Sequence, residues 1–155
     1  MNKATLHIVQ GFLGAGKSTF SKKLSSELNA VHLNPDELVE KLFESKDYEK
    51  DFGKCFDRAM DAVWKETIEC LNNGTDVILD MGFWHRKDRD YARSIAEKCN
   101  ADFKHYYISA PDEILKRRIS LRGGEVAKNN VKNFDEIKKQ FQEPGTDENP
   151  IVIHS

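Results

Sequence analysis

The chain has 155 residues, 39% hydrophobic and 32% charged, with a net charge of −2. That length suits one domain over residues 1–155 with a real core, and the charge excludes a global basic field that would draw in nucleic acid or membrane. No apolar run approaches the roughly 18 residues of a membrane helix, and the widely spaced Cys55, Cys70 and Cys99 form no metal or disulfide framework, so a cytoplasmic domain without a leader is expected.

Thr5-Leu6-His7-Ile8-Val9-Gln10 reads as a short buried strand. It runs into Gly11-Phe12-Leu13-Gly14-Ala15-Gly16-Lys17-Ser18-Thr19, which fits G-x-x-x-x-G-K-[ST] at every fixed position. Residues 19–28 then read as a helix, with Phe20, Leu24 and Leu28 along one face. Strand, glycine loop and helix together are the setting of a phosphate-binding loop. Glycines let backbone N–H groups turn inward onto polyphosphate oxygens, and the helix start adds the positive end of its dipole. Lys17 can reach β- and γ-phosphates, and the Ser18 hydroxyl can ligate Mg²⁺. ATP and Mg²⁺ are therefore the expected cofactors, with residues 11–19 as the nucleotide cradle.

Val31-His32-Leu33-Asn34 gives a second strand, and Pro35, Asp36 and Glu37 suit a helix start. Leu38, Val39, Leu42 and Phe43 carry that helix, and residues 45–50 read as a surface loop. A long helix is expected over residues 51–72, with Phe52, Phe56, Ala59, Met60, Val63 and Trp64 in period, stopped by Asn73-Gly74. Asp76-Val77-Ile78-Leu79-Asp80 reads as a buried parallel strand. Residues 81–86 read as a loop and 87–99 as a helix with Tyr91, Ile95 and Ala96 inward. A fourth strand covers 102–109, and Pro111 opens a helix carrying Ile114, Leu115, Ile119 and Leu121 up to Gly123-Gly124. Residues 125–133 read as a polar mobile loop, 134–141 as a short helix, 142–150 as turns and 151–154 as a last strand.

Five strands alternating with helices predict an α/β three-layer αβα fold around a five-stranded parallel sheet. Ligands in such sheets sit beyond the carboxyl ends of the strands. Residues 11–18, Asp36, residues 80–89 and 117–122 should therefore converge on one cleft.

Asp80, at the end of an apolar strand, suits a second magnesium-holding carboxylate or a substrate contact. Asp36 is either a general base for an attacking hydroxyl or a first-turn residue complementing the helix dipole. Arg118 and Arg122, four apart, share a helix face and precede a stretch, residues 122–133, that can act as a short lid over nucleotide. Arg86, Lys87 and Arg89 grip an anionic group of the substrate or form a solvated face. His85 is the histidine expected in the cleft; His7, His32, His105 and His154 are expected to be structural. Phe83 and Trp84 either line the pocket or fill core.

These residues resemble the small phosphate-loop kinases, a group that includes polynucleotide 5′-hydroxyl kinase, zeta-toxin, chloramphenicol phosphotransferase and gluconate kinase. The resemblance rests on residues 11–19, the Asn34-Pro35-Asp36-Glu37 turn, Val77 to Asp80 followed by Arg86 and Arg89, and Arg118-Ile119-Ser120-Leu121-Arg122-Gly123. It implies a kinase-like phosphate-loop fold, with Asp36 activating the acceptor hydroxyl and Arg118 and Arg122 serving ATP and the transferring phosphate. Polynucleotide kinases carry an Arg shortly after that Asp; Glu37, Leu38 and Val39 stand there here, which favours a small hydroxyl-bearing acceptor over a nucleic-acid end.

The expected activity is Mg²⁺-dependent transfer of the γ-phosphate of ATP to such a hydroxyl. Lys17, Asp36, Arg118 and Arg122 are the catalytic residues, Ser18 and Asp80 the metal ligands, and Asp36, Arg86 and Arg89 the substrate contacts. Two other readings are a nucleotide-gated binding or regulatory module with slow hydrolysis, and a zeta-type toxin kinase acting on a sugar nucleotide.

Overall fold

The computed structural model describes residues 3–42 and 52–155. In chain order the elements are β1 (Thr5–Gly11), α1 (Lys17–Leu28), β2 (Val31–Leu33), α2 (Pro35–Leu42), α3 (Phe52–Asn72) and β3 (Val77–Gly82). There follow α4 (Arg86–Lys98), β4 (Asp102–Ser109), α5 (Asp112–Arg122), α6 (Gly124–Lys132), α7 (Phe134–Lys138), a 3₁₀ turn (Thr146–Glu148) and β5 (Ile151–His154). The surface loop expected over 45–50, the residue expected to open α3 (Asp51), and the side chains of Leu42, Phe43 and Phe52 lie outside the described residues.

The strands pair in parallel in the order β2-β3-β1-β4-β5. Alternation along each strand sends side chains to opposite faces, and two cores result. Leu6, Ile8, Val77 and Leu79 pack with Val63 and Leu71 of α3 and Ala92, Ile95 and Ala96 of α4. Val9, Ile78, Tyr106 and Ile108 pack on the other face with Phe12, Leu115, Ile119, Phe134 and Phe141. Both faces of the sheet are thus covered by helices, and β1, the strand that feeds the glycine loop, lies at the centre with Leu6, Ile8 and Val9 fully buried. Among the described residues, no helix is long and apolar enough to cross a membrane.

Several local expectations are corrected. Residues 125–133, read as an irregular loop, lie in helix α6 as far as Lys132. Ala127 and Val131, four apart on one helix face, dock against the second core. β3 continues two residues past Asp80, to Gly82. Leu28 is 43% exposed, because each step of four residues overshoots a helical turn and carries it about 80° round from Phe20. Leu121 is 79% exposed, standing on the opposite side of α5 from Ile119. Tyr91, expected inward, is largely exposed and meets Trp64 edge-on at 4.8 Å.

Two histidines sit inside the sheet. His7 Nε2 lies 3.1 Å from Asp76 and its ring stacks on Tyr106. His105 Nε2 donates to Gln10 Oε1 at 2.7 Å, and its Nδ1 has no partner among the described residues. Burial lowers the pKa of both, that of His105 to about 4. The unfolded chain therefore binds more protons than the fold between the ordinary histidine value and 4, and stability falls as pH falls through that window. The His105 contribution is expected to reach about 3 kcal/mol. Denaturant midpoints at pH 7, 5.5 and 4.5 should decline for the wild type and decline less for His105→Gln; parallel curves would contradict it.

Candidate active site

The glycine loop turns because two of its residues occupy backbone conformations that side chains resist. Gly14 and Gly16 have φ of 78° and 94°, and a Cβ on Gly14 would stand 2.9 Å from the Leu115 carbonyl. The loop closes on itself through the Ala15 amide, which donates to the Phe12 carbonyl at 3.1 Å. α1 starts at Lys17, so its unpaired N–H groups and dipole end face the loop. The Lys17 ammonium folds back and donates to the Phe12 carbonyl at 3.0 Å. Burial pulls its pKa down, the nearby Asp80 and Asp36 carboxylates oppose this, and the Arg122 cation adds to the lowering. Lys17, Asp80, Arg122 and Asp36 therefore share one electrostatic environment despite their separation in sequence.

Asp80 is the hub of that environment. It is 3% exposed, and its Oδ2 accepts from Ser18 Oγ at 3.3 Å and Asn34 Nδ2 at 3.5 Å and lies 3.3 Å from His32 Nε2. Asn34 has a second task. Its Oδ1 accepts from the backbone N–H of Asp36 and Glu37, capping α2. One side chain thus ties the helix that carries Asp36 to the carboxylate facing the glycine loop.

Leu13, Gly16, Lys17, Ser18, Thr19, Asn34, Asp36, Asp80, Met81, Gly82, Trp84 and Arg122 line a cleft of about 410 Å³. The convergence predicted from the strand ends is thus present for the loop, Asp36, Asp80 and Arg122. Arg118 touches the loop without lining the cleft. Its Nη1 donates to the carbonyls of Gly14 and Ala15 at 3.3 and 3.4 Å and to Ser155 Oγ at 2.8 Å, bracing the loop backbone.

Arg86 and Arg89, expected to contact substrate, have protein partners in the structure. Arg89 is 2% exposed, with Nε and Nη2 on the Glu148 carboxylate at 2.7 and 3.1 Å and Nη1 on the Phe83 carbonyl at 2.8 Å. Arg86 pairs with Asp147 through Nη1 and Nη2, its two terminal guanidinium nitrogens. Both guanidiniums hold residues 142–148 against the start of α4 and neither lines the cleft. Phe83 is core, whereas Trp84 lines the cleft and packs on Phe12 with centroids 4.9 Å apart.

The sequence matches the family described as an AAA domain over residues 6–144. The chain belongs to that AAA domain family. L-seryl-tRNA(Sec) kinase of Methanococcus maripaludis is 28% identical over 154 aligned residues, covering 91% of this chain and 54% of that protein. The domain thus spans about half the length of that curated relative. Among solved structures, Mycobacterium tuberculosis APS kinase CysC, in complex with AMPPNP and APS, has a TM-score of 0.72 at 16% identity, over 99% of this chain and 90% of that one. A gluconokinase from Sinorhizobium meliloti 1021 has a TM-score of 0.65 at 13% identity, over 99% and 84%. These likenesses establish for the AAA domain the three-layer, five-stranded parallel fold of the phosphate-loop kinases.

His32 and Asn34 were missed as site residues. The sequence pattern makes His32 a structural strand histidine and Asn34 the end of the second strand and the start of a turn. The partial signal in the sequence is their spacing: His32 in β2 and Asn34 just past its end stand two positions apart, which puts both on one side of an extended chain, whereas the Asp80 they meet lies in another strand. His85, expected in the cleft, instead lies beside it, 3.7 Å from Asp88.

Proposed function

We propose that this domain transfers the γ-phosphate of ATP to a hydroxyl group of a small molecule or a nucleic-acid end. One observation carries the reading: Lys17, Ser18, Asp36, Asp80 and Arg122 face a single cleft built on a complete glycine loop. The relative named as a kinase of seryl-tRNA supports a hydroxyl acceptor.

Phosphoryl transfer requires positioning and charge stabilisation more than covalent chemistry. The loop amides and the α1 N-terminus bind the polyphosphate, and Lys17 exchanges its Phe12 carbonyl for phosphate oxygens. Arg122, on the cleft wall, balances negative charge on the transferring group. Arg118 acts at one remove, by holding the carbonyls of Gly14 and Ala15 so that the loop keeps its shape. Asp36 accepts the hydroxyl proton. Ser18 and Asp80 are paired oxygen donors 3.3 Å apart, a set that suits a hard cation whose remaining ligands are water and phosphate. Magnesium bound there would neutralise phosphate charge. His32 and Asn34 fix the orientation of the Asp80 carboxylate.

The deciding experiment is transfer of labelled γ-phosphate from ATP to a panel of hydroxyl acceptors. Labelled acceptor supports the reading, and release of free phosphate alone, whatever the acceptor, would refute it. Lys17→Ala is expected to weaken ATP binding tens-fold or more, since each charge-assisted bond is worth roughly 1.5–3 kcal/mol. Equal affinities by calorimetry would remove Lys17 from the cradle.

A further inference from the structure

The cleft continues past Asp36 into a second recess of about 280 Å³. Phe56, Met60 and Trp64 of α3, Met81 of β3 and Tyr91 of α4 line it, together with the carboxylates of Asp36 and Asp88. Asp36 and Met81 belong to both spaces, so the recess opens onto the reaction cleft at the residue assigned as base. The edge-on contact of Trp64 with Tyr91 makes an aromatic wall. The charges that the described lining residues present are two carboxylates. Of the basic residues around Asp88, Arg89 is committed to Glu148 and Arg86 to Asp147, Lys87 is not among the lining residues, and His85 Nδ1 lies 3.7 Å from the Asp88 carboxylate.

We propose that this recess holds the body of the acceptor, and that the acceptor is a largely apolar alcohol, neutral or carrying an ammonium group, not a phosphorylated or carboxylated one. The proposal rests on the transfer reading above. An apolar body fills the aromatic wall, and an ammonium group is attracted by Asp88 and by the aromatic faces. A phosphate or carboxylate on the acceptor would face Asp36 and Asp88 at short range. In the reaction the acceptor O–H gives its proton to Asp36, and its oxygen forms the new bond to the γ-phosphorus. The bond from that phosphorus to the β,γ-bridging oxygen breaks, and its electron pair leaves with ADP.

The test uses phenylalaninol, hydrocinnamyl alcohol and tropate, which are cationic, neutral and anionic primary alcohols with similar phenyl-bearing skeletons. Binding of each to the protein is measured by calorimetry with AMPPNP and Mg²⁺ present, for the wild type and Asp88→Asn. Phenylalaninol and hydrocinnamyl alcohol are expected to bind, the cation more tightly, with tropate weakest. Asp88→Asn should shrink the preference for the cation roughly five- to tenfold. Tropate binding as tightly as phenylalaninol would overturn the acceptor class and leave ATP-dependent transfer standing. So would a cation preference unchanged in Asp88→Asn. If none of the three binds while AMPPNP does, the recess is not the acceptor site. A wild type that fails to bind AMPPNP overturns the transfer reading, and this proposal with it.

Discussion

Replacing Asp36 with Asn is expected to lower phosphoryl transfer by about 10²–10⁴-fold while leaving ATP binding intact. The substitution keeps the shape of the side chain and removes the proton acceptor. Asp36 lies in the first turn of α2, capped by Asn34, and borders both the nucleotide cleft and the adjoining recess. A dissociative transition state leaves the acceptor oxygen only partly deprotonated, so the smaller end of the range is expected. Were Asp36 only a dipole-complementing residue, the same change would cost a few tenths of a kcal/mol of stability and leave turnover untouched. ATP affinity and acceptor labelling measured on one preparation separate the two. Full transfer by the variant would sink the assignment of the base.

Arg89→Met is expected to destabilise the fold by about 3–5 kcal/mol, the cost of leaving a buried charge without its partner. Burial pushes the Glu148 carboxyl pKa up, but hydrogen bonds from Arg89 and from the Gly145 backbone outweigh it and hold the pKa below the usual value. Without Arg89, the Glu148 carboxylate keeps, among the described residues, the Gly145 amide as its hydrogen-bond donor and the distant Arg86 Nη1 at 3.9 Å. For a domain with about 5–15 kcal/mol in total, that loss is a large share. The double variant Arg89→Met with Glu148→Leu should recover much of it, because no uncompensated charge remains. Urea unfolding of the single and double variants reads both effects. A single variant as stable as the wild type would show that the pair contributes nothing.

Much of the architecture was legible because it is written locally. The glycine loop, the apolar middle of β3 and the Asn34-Pro35 turn each specify their own backbone, and the strand ends then place the loop, Asp36 and Asp80 together. What was not legible depends on partners distant in sequence. Arg86 and Arg89 follow a strand end as substrate-binding residues do, but Asp147 and Glu148 stand about sixty positions away in a stretch without periodicity. Nothing local shows that this stretch returns to α4. Helix α6 was read as a loop because its apolar face is only Val131 and the small Ala127, too little to stand out among polar neighbours. His32 was missed because its partner, Asp80, belongs to another strand.

The strand that carries the glycine loop pairs with no strand close to it in sequence. Leu6 meets Val77 and Thr5 meets Asp102. Bringing such distant segments together is slow, because the entropy of closing each loop is lost before the contacts form. A chain emerging from the ribosome therefore displays its glycine loop before β3 and β4 and cannot hold it in place until both have arrived. Nucleotide would recognise only the finished topology and stabilise it by mass action. With ATP as the proposed ligand, nucleotide would be a late lock on folding, and a nascent chain without β4 would draw no protection from it.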